Sequence, residues 1–108
     1  MKDLEQLLDS KPLYSQVVAI QRLFKYPLLN PIYITIETYS DGIIAEHPDT
    51  ESWAEGETEY EAIDNLRIEI EALYEDLREI PDDKLGRNPL QWKRFLLLEI
   101  EGLKYGDH

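Results

Sequence analysis

The chain of 108 residues contains no cysteine. Without thiols there is no disulfide framework, no thiolate nucleophile and no cysteine-based zinc site. No apolar run approaches the roughly 20 residues that a membrane-spanning helix needs. The N-terminus, Met1-Lys2-Asp3-Leu4-Glu5, is acidic and lacks the basic and then apolar regions of a signal peptide. We therefore expect a cytoplasmic protein that does not enter a membrane.

Groups for acid–base or metal chemistry are equally scarce. The two histidines are His108, the last residue, and His47, near a predicted strand end where a structural or solvated role is expected. No nucleophile elbow, zinc-protease or phosphate-loop motif is present. Glu37 is the only carboxylate inside the clearest predicted strand, so no convergent metal site is predicted. We expect no catalytic residues, no metal and no cofactor, and hence no enzyme.

Basic residues are nearly missing from the middle of the chain. The whole chain has a net charge of −12. Residues 40–83 account for all of this negative charge, because they hold sixteen acidic residues and only two basic ones, Arg67 and Arg78. Such a block repels phosphate backbones, so we expect no direct binding to nucleic acid. It attracts a basic protein and speeds that encounter. A solvated helix face that only provides solubility is the simpler alternative.

The chain does contain the pattern of an antiparallel meander. Residues 32–39 alternate apolar with polar, which predicts a strand with Ile32, Ile34, Ile36 and Thr38 facing the core. The turn Ser40-Asp41-Gly42 predicts a hairpin to a strand at 43–47, and a turn at 48–51 leads to a short strand at 52–55. Residues 16–24 favour a further strand, although a helical stripe also fits them. Residues 26–31 contain two prolines and are predicted to be a connector.

A long helix is predicted over residues 59–80. Thr58 is a good N-cap, and Glu61 stands at capping-box spacing. An apolar stripe falls on one side of the helix, and acidic residues that include Glu71 and Glu75 cover the other. Ile68 lies among those acids and should be exposed. The stripe consists of Ala62, Leu66, Ile70, Leu73, Leu77 and Ile80.

A second helix is predicted to begin near Pro89, with Asn88 as its N-cap. It is apolar on several sides, more than one small sheet covers, which predicts a homodimer or higher oligomer. The candidate interface residues are Leu90, Trp92, Phe95, Leu97 and Leu98. A short helix is also expected at residues 3–8.

The predicted fold is therefore α+β: a three- to four-stranded antiparallel sheet packed on one long helix, with a C-terminal helix. We expect one domain over residues 1–108, divided into an N-terminal extension (1–30), a β-β-β-α core (31–80) and a C-terminal oligomerisation helix (81–108). One core is appropriate for this length.

The hairpin, the turn at Pro48-Asp49 and the segment Gly56-Glu57-Thr58-x-x-Glu61-Ala62-x-x-Asn65 resemble the HicB-like antitoxin family. The resemblance covers residues 32–74 and is moderately specific, since any capping box supplies part of it. The turn departs from the common signature, which has Leu-Pro-Gly there, and residues 81–108 are too short for the DNA-binding domain that many members carry. The resemblance implies a partial RNase H-like or double-stranded-RNA-binding-like fold without catalytic residues.

The resemblance also implies a partner, a small basic RNA-cleaving toxin that the protein covers and neutralises. A partner-binding surface of Asp49, Glu51, Trp53, Glu55 and Ile68 is predicted. Trp53 is the first choice for a buried anchor, although it fits the core equally well. An exposed sheet edge adds main-chain hydrogen bonds in this view. A non-catalytic homo-oligomeric interaction module is the alternative function.

Overall fold

The computed structural model of the protein describes residues 11–103. Within this range the fold is α+β, as predicted, with a four-stranded antiparallel sheet and two α-helices. Short 3-10 turns at Pro48–Thr50 and Asp82–Lys84 precede the last strand and the second helix. The helix predicted at residues 3–8 and the terminal His108 lie outside the described residues. The elements are β1 (Tyr14–Arg22), β2 (Pro27–Tyr39), β3 (Gly42–His47), β4 (Ser52–Gly56), α1 (Glu59–Arg78) and α2 (Arg87–Glu101).

The sheet is a meander in which each strand pairs with the next, so β1 and β4 are its two edges. Val18 pairs with Ile34, and Ile36 pairs with Ala45, which places these side chains on one face. We call it the inner face. The alternation predicted for β2 is confirmed from Ile32 to Ile36, because Ile32, Ile34 and Ile36 are buried while Tyr33 is exposed on the opposite, outer face. It fails at the end of the strand, where Thr38, predicted to face the core, is only partly buried and its neighbour Tyr39 is buried with Ile44.

The beginning of β2 corrects the prediction of a connector at residues 26–31. The strand begins at Pro27, which pairs with Arg22 beside the tip of the β1–β2 hairpin. β3 pairs with β2 only from Thr35 onward, and the register with β1 shifts between Ile20 and Arg22. Prolines are accepted at such irregular, open-edged positions because no regular ladder bond is lost there. The residues assigned to an N-terminal extension also supply β1 and the buried Leu23 to the fold.

The inner face is covered by both helices. α1 lies against β3 and β4, and α2 lies against β2 and α1. Leu73 and Ile80 of the predicted stripe are only partly buried, whereas Tyr74 is buried. The buried side of the helix therefore keeps Ala62, Leu66, Ile70 and Leu77 of the predicted stripe and adds Tyr74. One core cluster joins the buried strand residues with Ala62, Leu66, Ile70, Tyr74, Leu77, Leu96 and Leu97.

The predicted N-cap of α1 is present, since the Thr58 hydroxyl accepts the Glu61 N–H at 3.1 Å. The reciprocal bond differs from a standard capping box. The Glu61 carboxylate accepts the N–H of Glu57, at 3.1 Å, and not that of Thr58. One more free N–H at the helix start is satisfied in either case.

The start of α2 corrects the prediction of an Asn88 cap. Gly86 is the N-cap, the helix begins at Arg87, and Pro89 lies inside the first turn. Proline is tolerated there because the first N–H groups of a helix have no intrahelical partner. Buried Lys93 donates to the Ile80 main-chain oxygen at 2.6 Å and contacts the Asp82 carboxylate at 2.8 Å. This lysine ties α2 to the end of α1. Over residues 11–103, none of the helices has the length and apolar character needed to span a membrane.

Candidate protein-binding groove

An open groove of about 570 Å³ runs along the β4 edge of the sheet, between that strand and the two helices. Its apolar lining comes from all three elements: Trp53 from β4, Ile68 and Leu73 from α1, and Trp92 from α2. Trp53 is 42% exposed and Ile68 is 53% exposed, so both side chains are available to a ligand. Exposed aromatic and aliphatic groups beside an unpaired strand edge are typical of a protein-binding surface.

Acidic side chains surround this apolar lining. Glu51 and Glu55 flank it on the β4 side, and Glu69 flanks it on α1. All three residues are exposed. Asn65 of α1 donates to the main-chain oxygen of Glu55 at 2.9 Å, which attaches the edge strand to the helix. The groove therefore offers an apolar centre and a negatively charged rim.

The backbone reaches β4 through a sharp bend at Glu51, whose φ is 54°. A non-glycine residue in this left-handed region carries a conformational cost. The bend is held by the Glu51 N–H, which donates to the Pro48 oxygen at 3.1 Å, and by side chains beneath it. It directs the chain from the 3-10 turn into the edge strand and places Glu51 beside the groove.

His47 is the central residue of the side chains that support this bend. Its side chain is fully buried, and Nδ1 lies 2.7 Å from the Thr50 hydroxyl, which in turn lies 2.9 Å from that of Ser52. Among residues 11–103, the imidazole Nε2 has no hydrogen-bond partner, and the Asp49 carboxylate lies 3.9 Å away. Burial lowers the pKa of His47 below its ordinary value, and the Asp49 carboxylate opposes part of this shift. The residue has a structural position and does not face the groove lining.

The structure brings together four of the five predicted partner-binding residues. Glu51, Trp53, Glu55 and Ile68 line the groove, while Asp49 lies outside its lining and faces His47. Leu73, which the sequence placed in the core stripe, also lines it. Asn65 and Glu69 are further lining residues that sequence reasoning missed, because nothing in a helical wheel shows where the edge strand lies.

The predicted oligomer-interface residues are separated by the fold. Trp92 lines the groove, and Phe95 packs on the His47 ring with a centroid distance of 5.3 Å. Leu97 is buried in the core of the single chain, so it needs no second subunit to cover it. Leu98 is 36% exposed and Leu90 is partly buried. The sheet does not have to cover every apolar side of α2 alone, because α1 packs against α2 as well.

A second group of polar side chains joins the β1–β2 hairpin to α1. Glu71, predicted to point to water, is buried and accepts the Lys25 N–H at 2.5 Å, and Glu75 accepts the Tyr26 hydroxyl at 2.6 Å. Tyr74 donates to Glu101, and burial together with this bond raises the pKa of Tyr74 to about 12. Each group is paired within the fold, which indicates a structural network. Among residues 11–103, no three histidine, aspartate or glutamate side chains form a group able to hold a metal ion.

Comparisons with protein-family models, with curated proteins and with solved structures return no match to this chain. The resemblance to HicB-like antitoxins therefore rests on the hairpin and the residues from Pro48 to Asn65 that carry it.

Proposed function

We propose that this chain is a non-catalytic, cytoplasmic, antitoxin-like binding protein that neutralises a small basic RNA-cleaving toxin by means of the groove beside β4. The observation that carries the proposal is the grouping of Glu51, Trp53, Glu55 and Ile68 along one unpaired strand edge. The family resemblance supplies the class of partner, and the groove supplies a place for it.

The chemistry of the groove suits a segment of a protein partner. A strand added along the free edge of β4 would gain main-chain hydrogen bonds, which supply affinity that does not depend on sequence, although the Glu55 oxygen already accepts the Asn65 side chain. The lining formed by Trp53, Ile68, Leu73 and Trp92 accepts apolar side chains, which supply the buried anchors of most protein interfaces. An extended, partly apolar segment fits both features.

The acidic rim supports a basic partner. A protein that cleaves RNA needs a positively charged surface for the phosphate backbone. Carboxylates at Glu51, Glu55 and Glu69 carry the same sign of charge as those phosphates, so they compete for that surface. The surrounding excess of acidic residues in the 40–83 block adds long-range attraction. Inhibition then follows from occupancy of the RNA-binding surface.

The test is to co-express the chain with the reading frame next to its gene, which the proposal expects to encode a small basic protein, and to measure growth rescue and complex formation. Ile68→Lys places a positive charge in the groove and should abolish rescue and weaken the complex by about 30-fold or more, as for an anchor worth at least ~2 kcal/mol. Tyr60→Lys is the matched control, since Tyr60 is an 84% exposed residue of α1 outside the groove lining.

Two results would contradict the proposal. A neighbouring frame that is not toxic and yields no complex removes the partner, and favours the alternative of a homo-oligomeric interaction module. A complex that Ile68→Lys and Tyr60→Lys leave equally intact places the binding surface elsewhere. One observation favours the alternative: Leu13 and Val17, in and beside the edge strand β1, form a second exposed apolar region.

A further inference from the structure

The free edge of β1 lacks the protection that edge strands usually carry. β1 is a nine-residue strand at one end of the sheet. From Pro12 to Gln21 the chain contains no charged residue. Edge strands of soluble proteins are normally guarded against pairing with another chain by charges, prolines or bulges along the strand. The only irregularity here, the register shift, falls at the Arg22 end.

Exposed apolar side chains concentrate around this same edge. Leu13 is 73% exposed, Val17 is 69% exposed and Tyr14 is 52% exposed. Tyr33, which pairs with Ala19 and points to the outer face, is 62% exposed. Such a concentration beside one unpaired strand indicates a surface that another chain covers.

The distribution of charge favours the β1 edge over the β4 edge as the place where a second copy of this chain binds. Residues 1–39 hold four acidic and four basic residues and are neutral, whereas the 40–83 block holds sixteen acidic residues and two basic ones. Two copies of a chain with a net charge of −12 repel each other least through the neutral side that carries β1. Pairing through the β4 edge would instead bring Glu51 and Glu55 of both copies together. On the helix side of β1, Glu59 is engaged by Gln16 at 2.8 Å.

We propose that two copies of this chain associate through their β1 edges, antiparallel and about a two-fold axis, to form one continuous eight-stranded sheet. A two-fold interface uses the same strand from both copies, and an antiparallel pair satisfies the outward main-chain groups of each. The exposed Leu13 and Val17 of one copy then pack beside the other copy. The two β4 grooves lie at the far ends of the sheet and remain open. This inference does not depend on the partner proposed for the groove.

The first test is the mass in solution by light scattering or sedimentation equilibrium. The wild-type chain should give twice the monomer mass of 12.7 kDa at micromolar concentration. The double variant Val17→Lys with Ala19→Lys puts charge on two exposed positions of the edge, and should raise the dimer dissociation constant at least about tenfold. Ile68→Lys is the control and should leave the dimer intact. Circular dichroism and thermal unfolding verify that each variant is folded.

The second test locates the interface with spin labels. Because the chain has no native cysteine, a label attaches only to the cysteine that is introduced. A spin label on Val17→Cys should lie within about 20 Å of its copy, because the two edge strands are adjacent. A label on Glu55→Cys should lie about 30 Å or more from its copy, because some seven strand spacings of about 4.8 Å separate the two β4 strands.

Three outcomes would overturn the proposal. They are a monomer at every concentration, a dimer that the double lysine variant leaves unchanged, or a short distance at residue 55 with a long one at residue 17. A dimer that appears only after removal of residues 1–10 would assign the β1 edge to this chain's own first residues and would overturn it as well.

Discussion

At the scale of single residues, His47 combines full burial with an unpartnered ring nitrogen. Its Nδ1 contacts the Thr50 hydroxyl at 2.7 Å, and the Phe95 ring covers one side. Desolvation favours the neutral imidazole, so the pKa of His47 is lowered. The Asp49 carboxylate, the one charged group near Nε2 among the described ion pairs, favours the charged form. Burial is the larger of the two effects.

This shift predicts a loss of stability in mild acid. The folded-state pKa lies below the unfolded value of about 6.5, so the unfolded chain binds the proton more readily as the pH falls. The stability is fully present above pH ~6.5 and decreases below it, by at most about 1.4 kcal/mol per pH unit. Urea unfolding of the wild type and of His47→Gln between pH 5 and 8 measures the effect as the difference between the two slopes.

Asp49→Asn provides the control for this prediction. Removal of the carboxylate takes away the group that supports the protonated ring, so the wild-type loss below pH ~6.5 should become steeper or extend to lower pH. Equal slopes for the wild type and His47→Gln would show that His47 is not the responsible group.

At the scale of elements, the junction between β4 and α1 sets the position of the groove. Gly56 ends the strand, and two residues later Thr58 caps the helix. A Cβ atom built on Gly56 would lie 2.5 Å from the Ala62 nitrogen and 2.9 Å from the Glu61 Cβ. Gly56 is therefore required by the close approach of strand and helix, and only a side chain of a single hydrogen fits there.

Gly56→Ala should accordingly destabilise the protein by about 1–3 kcal/mol, as overpacking does when rigid backbone must move. Gly86→Ala is a matched control. It also stands at a helix N-terminus, but its nearest atom to an added Cβ is the Pro89 Cδ, 4.0 Å away, so stability should change by less than about 1 kcal/mol. Denaturant unfolding of both variants tests this, and equal losses would contradict the packing argument.

At the scale of the whole molecule, charge is distributed unequally across the sheet. The β1 edge belongs to the neutral part of the chain, and the β4 edge together with α1 carries the acidic block. A basic partner is therefore attracted toward the groove, and a second copy is repelled least at the opposite edge. This distribution of charge is the reason why we propose two different associations at two different edges of the sheet.

This distribution predicts how groove binding depends on salt. For the complex with the proposed basic toxin, Glu55→Gln with Glu69→Gln should lower the association rate and weaken its dependence on ionic strength. Glu57→Gln with Glu79→Gln makes the same change in net charge outside the groove lining, and should alter the rate less. Stopped-flow association between roughly 50 and 500 mM salt, across the range where screening grows, measures both. Identical salt curves for the two pairs would show that only net charge matters.

Local sequence signals were sufficient to determine the secondary structure of the central region. Alternation from Ile32 to Tyr39, the turn at Asp41 and the Thr58 cap each act over a few residues, so the end of β2 and the whole of β3, β4 and α1 could be predicted near their observed bounds. The predictions were wrong where contacts with other elements determine the structure of a residue. Pro27 belongs to β2 because β3 does not pair with this part of the strand, so no hydrogen bond to β3 is lost. Glu71 is buried because its carboxylate accepts the main-chain N–H of Lys25 in the β1–β2 hairpin.

The amino-acid sequence by itself determined the α+β class, the capped helix, the acidic block and the absence of thiol chemistry. Only the tertiary structure decided which side chains meet. Trp53, Ile68 and Trp92 come from three elements and share one groove, because α1 packs against β4 while α2 packs against α1 and the 3-10 turn that precedes β4. The tertiary structure also decided that Leu97 is buried in the core and that Leu13 is exposed. Burial is a property of the packed elements around a residue, and no pattern along a single element contains it.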